Sequence, residues 1–302
     1  MPITFSPIKR REFLLGTFAA GLTTALFPSG VFAAENVEKK AANHWVFLSD
    51  THVPGDPDRI RQDKKQKYDP NKNFTVARDA VLELADKPQG IIVTGDFAHL
   101  QGKPEDYRQL ASLIVPYTAA GIPVHVALGN HDRLNNFHAA FAKTKQENPP
   151  VHNKKVLVLE TPNCNFFLLD SLFEEEDGSG YFGRPQRKWL AKELDARSDK
   201  PAILFAHHNR EDLVDDKYFW SVILPRKQVK AYIYGHTHVY RQSVSNDVHL
   251  INLPALGWEF AGGLQPLGWS DAVISENGIQ LTLHTVTEHD RNNDVRQFSW
   301  LR

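Results

Sequence analysis

Five short blocks of branched and aromatic residues, at 45–48, 91–93, 123–126, 203–205 and 232–234, are set between longer amphipathic stretches of this chain. Blocks of three or four residues are too short for helices and carry apolar side chains on both faces, which predicts strands buried inside a sheet. Between them the apolar spacing changes to three and four. Phe74, Ala77, Val81 and Leu84 follow Asn73, a candidate N-cap, and Pro88-Gln89-Gly90 marks the stop. Leu110, Leu113 and Ile114 predict a second helix from about Glu105, distorted at Pro116 and ended by Gly121. Pro185 opens a third, with Trp189, Leu190 and Leu194 on one face. After residue 238 the pattern becomes a series of short apolar runs, at 248–253, 272–275 and 279–283, with Glu276-Asn277-Gly278 as a hairpin turn. These runs are expected to form a second sheet.

Each of the five blocks ends on a cluster of metal-ligand residue types. In chain order the clusters are Asp50-Thr51-His52, Gly95-Asp96, Gly129-Asn130-His131-Asp132, Ala206-His207-His208 and Gly235-His236-Thr237-His238. In sheets of alternating strands and helices, ligands bind in the loops beyond the carboxyl ends of the strands, so five such loops can converge on one spot. A pair of bivalent ions needs a carboxylate able to bridge both, neutral imidazoles, and few enough protein ligands to leave room for water and substrate. The clusters supply these types.

This ordered set resembles the pattern of the calcineurin-like metallophosphoesterases: D-x-H, G-D, G-N-H-D/E, H and G-H-x-H, matched from Asp50 to His238. The resemblance implies two stacked mixed β-sheets flanked by helices, a four-layer α/β/β/α sandwich. It implies a first metal held by Asp50, His52, Asp96 and His238, and a second held by Asp96, Asn130, His207 and His236. Asp96 is then the bridging carboxylate, and His131 stands near the leaving group as the catalytic acid, with Asp132 as a candidate to orient it. His208 is a candidate for touching substrate or packing behind His207. The ions would be divalent or of mixed valence: manganese, iron or zinc. Purple acid phosphatases, which share the pattern, carry an iron-binding tyrosine three residues after the bridging aspartate. Here His99 stands at that position, which speaks against an iron(III)-tyrosinate site and leaves His99 as a residue that could orient a neighbour.

The activity implied is hydrolysis of phosphate mono- or diesters. Two cations acidify a shared water, the bridging hydroxide attacks in line, and His131 protonates or stabilises the departing alkoxide. The small phosphate ester is the expected partner. Two other readings compete with this one: a phosphodiesterase specific for cyclic nucleotides or other diesters, and a non-catalytic metal-binding interaction module. The double histidine at 207–208 resembles the cyclic-nucleotide branch, although Asn209 stands where that branch often has proline. Cys164 reads as a small buried residue, and a lone cysteine can form no intrachain disulfide.

The start of the chain carries an address. Lys9-Arg10-Arg11-Glu12-Phe13-Leu14 resembles the twin-arginine export signal, followed by an apolar stretch at 13–27 and a small-residue zone ending in Ala33-Ala34. The apolar stretch is shorter than the roughly twenty residues of a membrane span, so no stable membrane anchor is expected. Residues 1–33 are read as a leader cleaved after Ala33, and 34–302 as a single domain exported by the twin-arginine machinery to the periplasm or another extracytoplasmic space. The whole chain of 302 residues has 35 Lys and Arg against 36 Asp and Glu. That balance gives no nucleic-acid footprint. Two stretches are candidates for shaping a substrate pocket: the charged insertion at 54–71, with Arg59, Arg61, Lys64, Lys65 and Lys67, and the aromatic residues Tyr218, Phe219, Trp220, Trp258 and Phe260.

Overall fold

The computed structural model describes residues 4–6, 43–63, 66–141, 149–175 and 177–302. In chain order these form β1 (Thr4–Phe5), β2 (His44–Leu48), β3 (Arg61–Asp63), β4 (Gln66–Tyr68), α1 (Pro70–Glu83), β5 (Gly90–Val93), α2 (Pro104–Ala119), β6 (Val124–Val126) and α3 (Leu134–Ala140). There follow β7 (Leu157–Glu160), β8 (Asn165–Leu168), α4 (Gly183–Asp195), β9 (Ala202–Phe205), α5 (Asp216–Ile223), β10 (Val229–Tyr234) and β11 (Arg241–Ser245). The chain closes with β12 (Val248–Asn252), β13 (Gly268–Ser275), β14 (Gly278–Thr285) and β15 (Val295–Ser299). The arginine pair Arg10-Arg11, the Ala33 boundary and Lys64-Lys65 lie outside the described residues.

Two sheets carry the fold, one ordered β1-β6-β5-β2-β13-β14-β15 and the other β11-β12-β10-β9-β8-β7. The alternation within their strands explains why they stack. Trp45, Phe47 and Ile92 of the first sheet meet Phe166, Phe205, Ile233 and Ile251 of the second in one buried layer. The alternate residues Val46, Leu48, Ile91 and Val93 face outward and are covered by Phe74 and Val81 of α1 and Leu110 and Ile114 of α2. On the far side, Leu204 and Tyr232 are covered by Leu190 and Leu194 of α4 and Phe219 and Ile223 of α5. A strand with opposite faces in two apolar layers is apolar on both, as the blocks are apart from His125 of β6. The result is the four-layer α/β/β/α sandwich.

Three details differ from the sequence reading. The N-cap of α1 is Asp69, whose carboxylate accepts from Lys72 N at 2.9 Å, with Pro70 as the first helical residue. Asn73 instead lies inside the helix, and its side-chain amide donates to the carbonyls of Leu256 (3.0 Å) and Gly257 (3.1 Å). The C-terminal strands do not form one sheet of their own: β12 lies parallel to β10 in the second sheet, whereas β13 runs antiparallel to β2 and carries β14 and β15 onto the first. Finally, Phe219 and Trp220 are buried on α5, an element the aromatic cluster did not suggest, and only Tyr218 of that trio is exposed.

Candidate metal centre

The loops after β2 and β5 run side by side beyond the ends of their strands. Asp50 N donates to Gly95 O at 3.1 Å and His52 N to Asp96 O at 2.9 Å, and Thr51 Oγ1 donates to Phe97 O at 3.1 Å, so the first two clusters are held together. Gly235 brings in the fifth cluster: a Cβ there would collide with Ser49 Oγ and the Asp50 carboxylate, which only glycine permits. His236 N then donates to both carboxylate oxygens of Asp50, at 3.1 Å each. Ser49 Oγ donates to Asp50 Oδ2 at 2.5 Å.

The expected ligand atoms are brought together. His52 Nε2 and His238 Nε2 lie 3.0 Å apart, with Asp50 Oδ1 3.4 Å from His238 Nε2. Asn130 Oδ1 and His236 Nδ1 each lie 3.2 Å from His207 Nε2. Asp96 sits between the two groups, its Oδ2 3.3 Å from His207 Nε2 and 3.7 Å from His52 Nε2, while its Oδ1 accepts from His131 N at 2.9 Å. All seven residues are buried except His236, which is half-buried.

Divalent cations fit this donor set. Three groups converge on His207 Nε2, a nitrogen that can offer one proton at most, and only one proton can lie between the facing nitrogens of His52 and His238. The surplus lone pairs call for positive charge. Titration behaviour agrees. Against the penalty of burial, the charges of Asp96 and Asp50 hold His207 up at about 9. Burial would raise the carboxylates of Asp50 and Asp96, yet the neighbouring histidines hold both well below the usual range. Burial and the His207 charge push His236 down to about 4, and His52 is lowered by burial. Ionised Asp50 and Asp96 beside neutral His52 and His236 are the protonation states metal ligation requires, whereas His207 is held cationic by the two carboxylates, a positive charge that a bound ion would supply in place of the proton. Backbone strain points the same way: Asp50, His52, Asp96, His236 and His238 have φ of 49°, 44°, 52°, 71° and 55°. Left-handed non-glycine residues are costly and cluster at functional sites.

Several ring nitrogens have a fixed role. His238 Nδ1 donates to Trp258 O at 2.6 Å, which leaves Nε2 as the ligand atom. His131 Nδ1 donates to Leu100 O at 2.6 Å. Asp132 does not orient His131. Its carboxylate accepts from the backbone N–H groups of Phe97 (3.1 Å), Ala98 (3.2 Å) and Gly129 (3.0 Å), tying the second and third clusters together. Burial and the Asp96 charge raise it to about 6. His208 is buried behind His207, with Nδ1 2.8 Å from Ser171 Oγ, and its ring fills space that a Cβ on Gly180 would occupy. His99 lies edge-on to Trp258, and burial together with the charges of Arg59 and Arg61 lowers it to about 4. Sequence reasoning missed Ser49, Leu100, Ser171 and Asp212, whose Oδ2 is 3.4 Å from His236 Nε2. Each acts through a contact between residues whose spacing carries no motif.

The family model described as calcineurin-like phosphoesterase matches residues 45–240. A probable glycerophosphodiester phosphodiesterase of Arcobacter nitrofigilis is 26% identical over 262 residues, 78% of this chain and 86% of that protein. A probable cyclic nucleotide phosphodiesterase of Psychrobacter arcticus is 24% identical over 186 residues, 56% of this chain and 64% of that one. Among solved structures, a dimetal phosphatase from Danio rerio aligns with a TM-score of 0.69 at 16% identity, over 86% of this chain and 99% of that one. A purple acid phosphatase from yellow lupin seeds aligns with a TM-score of 0.59 at 15% identity, over 85% of this chain and 54% of its own. The two structures share the fold.

Proposed function

This chain belongs to the calcineurin-like phosphoesterase family, and we propose that it is a dinuclear metal-dependent hydrolase of small phosphodiesters. The observation that carries the reading is the position of Asp96, whose carboxylate stands between His52 and His207 and so between the two ligand groups. Asp50, His52, Asp96 and His238 would hold one ion, and Asp96, Asn130, His207 and His236 the other. When bound, such a pair supplies an acidified water and a counter-charge for the phosphoryl oxygens. The chain's own residues do the rest. A water oxygen would form the new P–O bond as its proton passes to solvent, the P–O bond to the leaving alcohol would break with its electron pair on that oxygen, and His131 Nε2, when protonated, would donate to the departing oxygen. Asp132 and Leu100 keep the Asp96 and His131 loops in place for that transfer.

A diester preference is supported by the activities named for the two relatives, both phosphodiesterases. Parallel assays on mono- and bis-nitrophenyl phosphate with manganese, iron or zinc test the reading. Two ions per chain with diester turnover support it, two ions with monoester turnover alone make it a phosphatase, and metal without turnover of either makes it a binding module.

The leader reading belongs to the same proposal. Residues 1–33 direct export by the twin-arginine machinery, which carries folded cargo, and 34–302 remain as the mature domain. Among the described residues no helix is long and apolar enough to cross a membrane. Cleavage would also remove β1, which pairs antiparallel with β6 and sets Phe5 against Phe137 and Phe141, so β6 would become the edge of the first sheet.

A further inference from the structure

We propose that Trp258 is the positioning residue of the first metal, the one assigned to Asp50, His52, Asp96 and His238; this rests on the metal-dependent reading above. Trp258 lies beyond the residues matched by the family model and is 1% exposed, so it cannot be the substrate-stacking surface its sequence suggested. Its indole stacks on His52 with ring centroids 3.8 Å apart and planes 23° from parallel. Its backbone carbonyl accepts from His238 Nδ1 at 2.6 Å. One residue therefore fixes the ring plane of one ligand and the tautomer of another, and these two present nitrogens 3.0 Å apart.

The indole is itself held from behind. The Arg61 guanidinium lies 4.2 Å from its centroid, and a ring this close to His52 on one face can take the arginine only on the other. Arg61 stands on β3, so the hairpin in the charged insertion closes over Trp258. The preceding residues are tied to the same cluster: Leu256 N donates to Ser49 O at 3.0 Å and Gly257 N to Asp50 O at 2.9 Å. Asn73 of α1 holds the carbonyls of both. The stretch 256–258 thus braces Asp50, His52 and His238. The aromatic neighbours of Trp258 include His52, His99 and His238, and its apolar neighbours include Tyr68, Ala255 and Leu267, none of them assigned to the second metal. That one-sidedness makes the inference specific.

Manganese(II) titration of the full-length protein, read by bound-metal analysis and calorimetry, tests it. Trp258→Leu is expected to weaken one of two sites by roughly ten- to a hundred-fold, the usual effect of removing a group that orients a ligand, and to leave the other unchanged. Trp258→Phe, which keeps a ring against His52, should recover most of that loss, and Arg61→Gln should show a smaller one. The site is identified by background. In His236→Ala, which retains the first site, adding Trp258→Leu should weaken the remaining binding by the same roughly ten- to a hundred-fold; in His238→Ala it should change nothing further. A merely structural role would weaken both sites together, and either that result or unchanged affinities in Trp258→Phe and Arg61→Gln alongside unchanged Trp258→Leu would overturn the proposal. Wild-type protein that binds two ions and turns over a diester leaves the functional reading standing whatever the Trp258 variants do.

Discussion

His131 Nδ1 lies 2.6 Å from the carbonyl oxygen of Leu100, an atom that can only accept, so the ring keeps a proton on Nδ1 and offers Nε2 as its working atom. Neutral, Nε2 carries a lone pair; it can donate only as imidazolium. His131→Ala should therefore retain both metals and lose turnover in proportion to the basicity of the leaving group. A nitrophenolate departs with little help, whereas an alkoxide needs a proton, for which a positioned acid contributes roughly a hundred- to ten-thousand-fold. Rates of wild type and variant over esters of graded leaving-group acidity check this. A deficit equal for nitrophenyl and alkyl esters would assign His131 to holding the phosphate instead.

Asp96→Asn should abolish activity and weaken both metal positions. Its Oδ2 lies within 3.7 Å of histidines from both groups, and a neutral amide cannot offset the repulsion of two cations. His236→Ala should deplete mainly the second metal and His238→Ala the first. Metal content after dialysis decides, and equal content in all three variants and wild type would sink the ligand assignment.

The five candidate-ligand clusters and their convergence on one spot were legible in the sequence because chemistry restricts the residue types and the buried strands before them give each one a place. The bracing residues were not. Trp258 meets His52 from far along the chain, and nothing in its local pattern separates a tryptophan stacked on a ligand from one open to substrate. Strand periodicity reveals β13 and β14 but not their sheet, since alternation fixes which faces are buried and leaves the partner strand open. The residues of α5 are too few for a helical period to stand out from an aromatic cluster. Asn73 and Asp69 are both good caps by type, and Pro70 decides for Asp69 by sitting at the first helical position.

Replacing Arg10 and Arg11 with lysines should leave the protein in the cytoplasm, folded and uncleaved, because the arginine pair is an address read by a receptor and charge alone does not substitute for it. Cell fractionation with N-terminal sequencing is the measurement. A cleaved periplasmic product at wild-type yield would count against the twin-arginine route.

A histidine away from the metal centre should leave its mark on acid stability. His125 of β6 is 6% exposed, packed beside Trp45, and burial lowers it to about 4. In the unfolded chain a histidine titrates near 6.5. Between these values the unfolded chain holds a proton that the folded chain does not, so protonation favours unfolding. The stability contributed by the neutral ring is fully present above about 6.5 and is lost as pH falls toward 4, on the order of 3 kcal/mol over the window. His125→Gln removes this titration while keeping a polar group within reach of Thr4 Oγ1, which lies 2.9 Å from Nδ1. Urea unfolding of chelated, uncleaved full-length wild type and variant, in which β1 still covers β6, makes the comparison at pH 7.5 and 4.5. The histidines of the metal centre titrate in both proteins and cancel in the difference. The variant should lose less stability on acidification than wild type, and parallel losses would mean that His125 takes up its proton without leaving the fold.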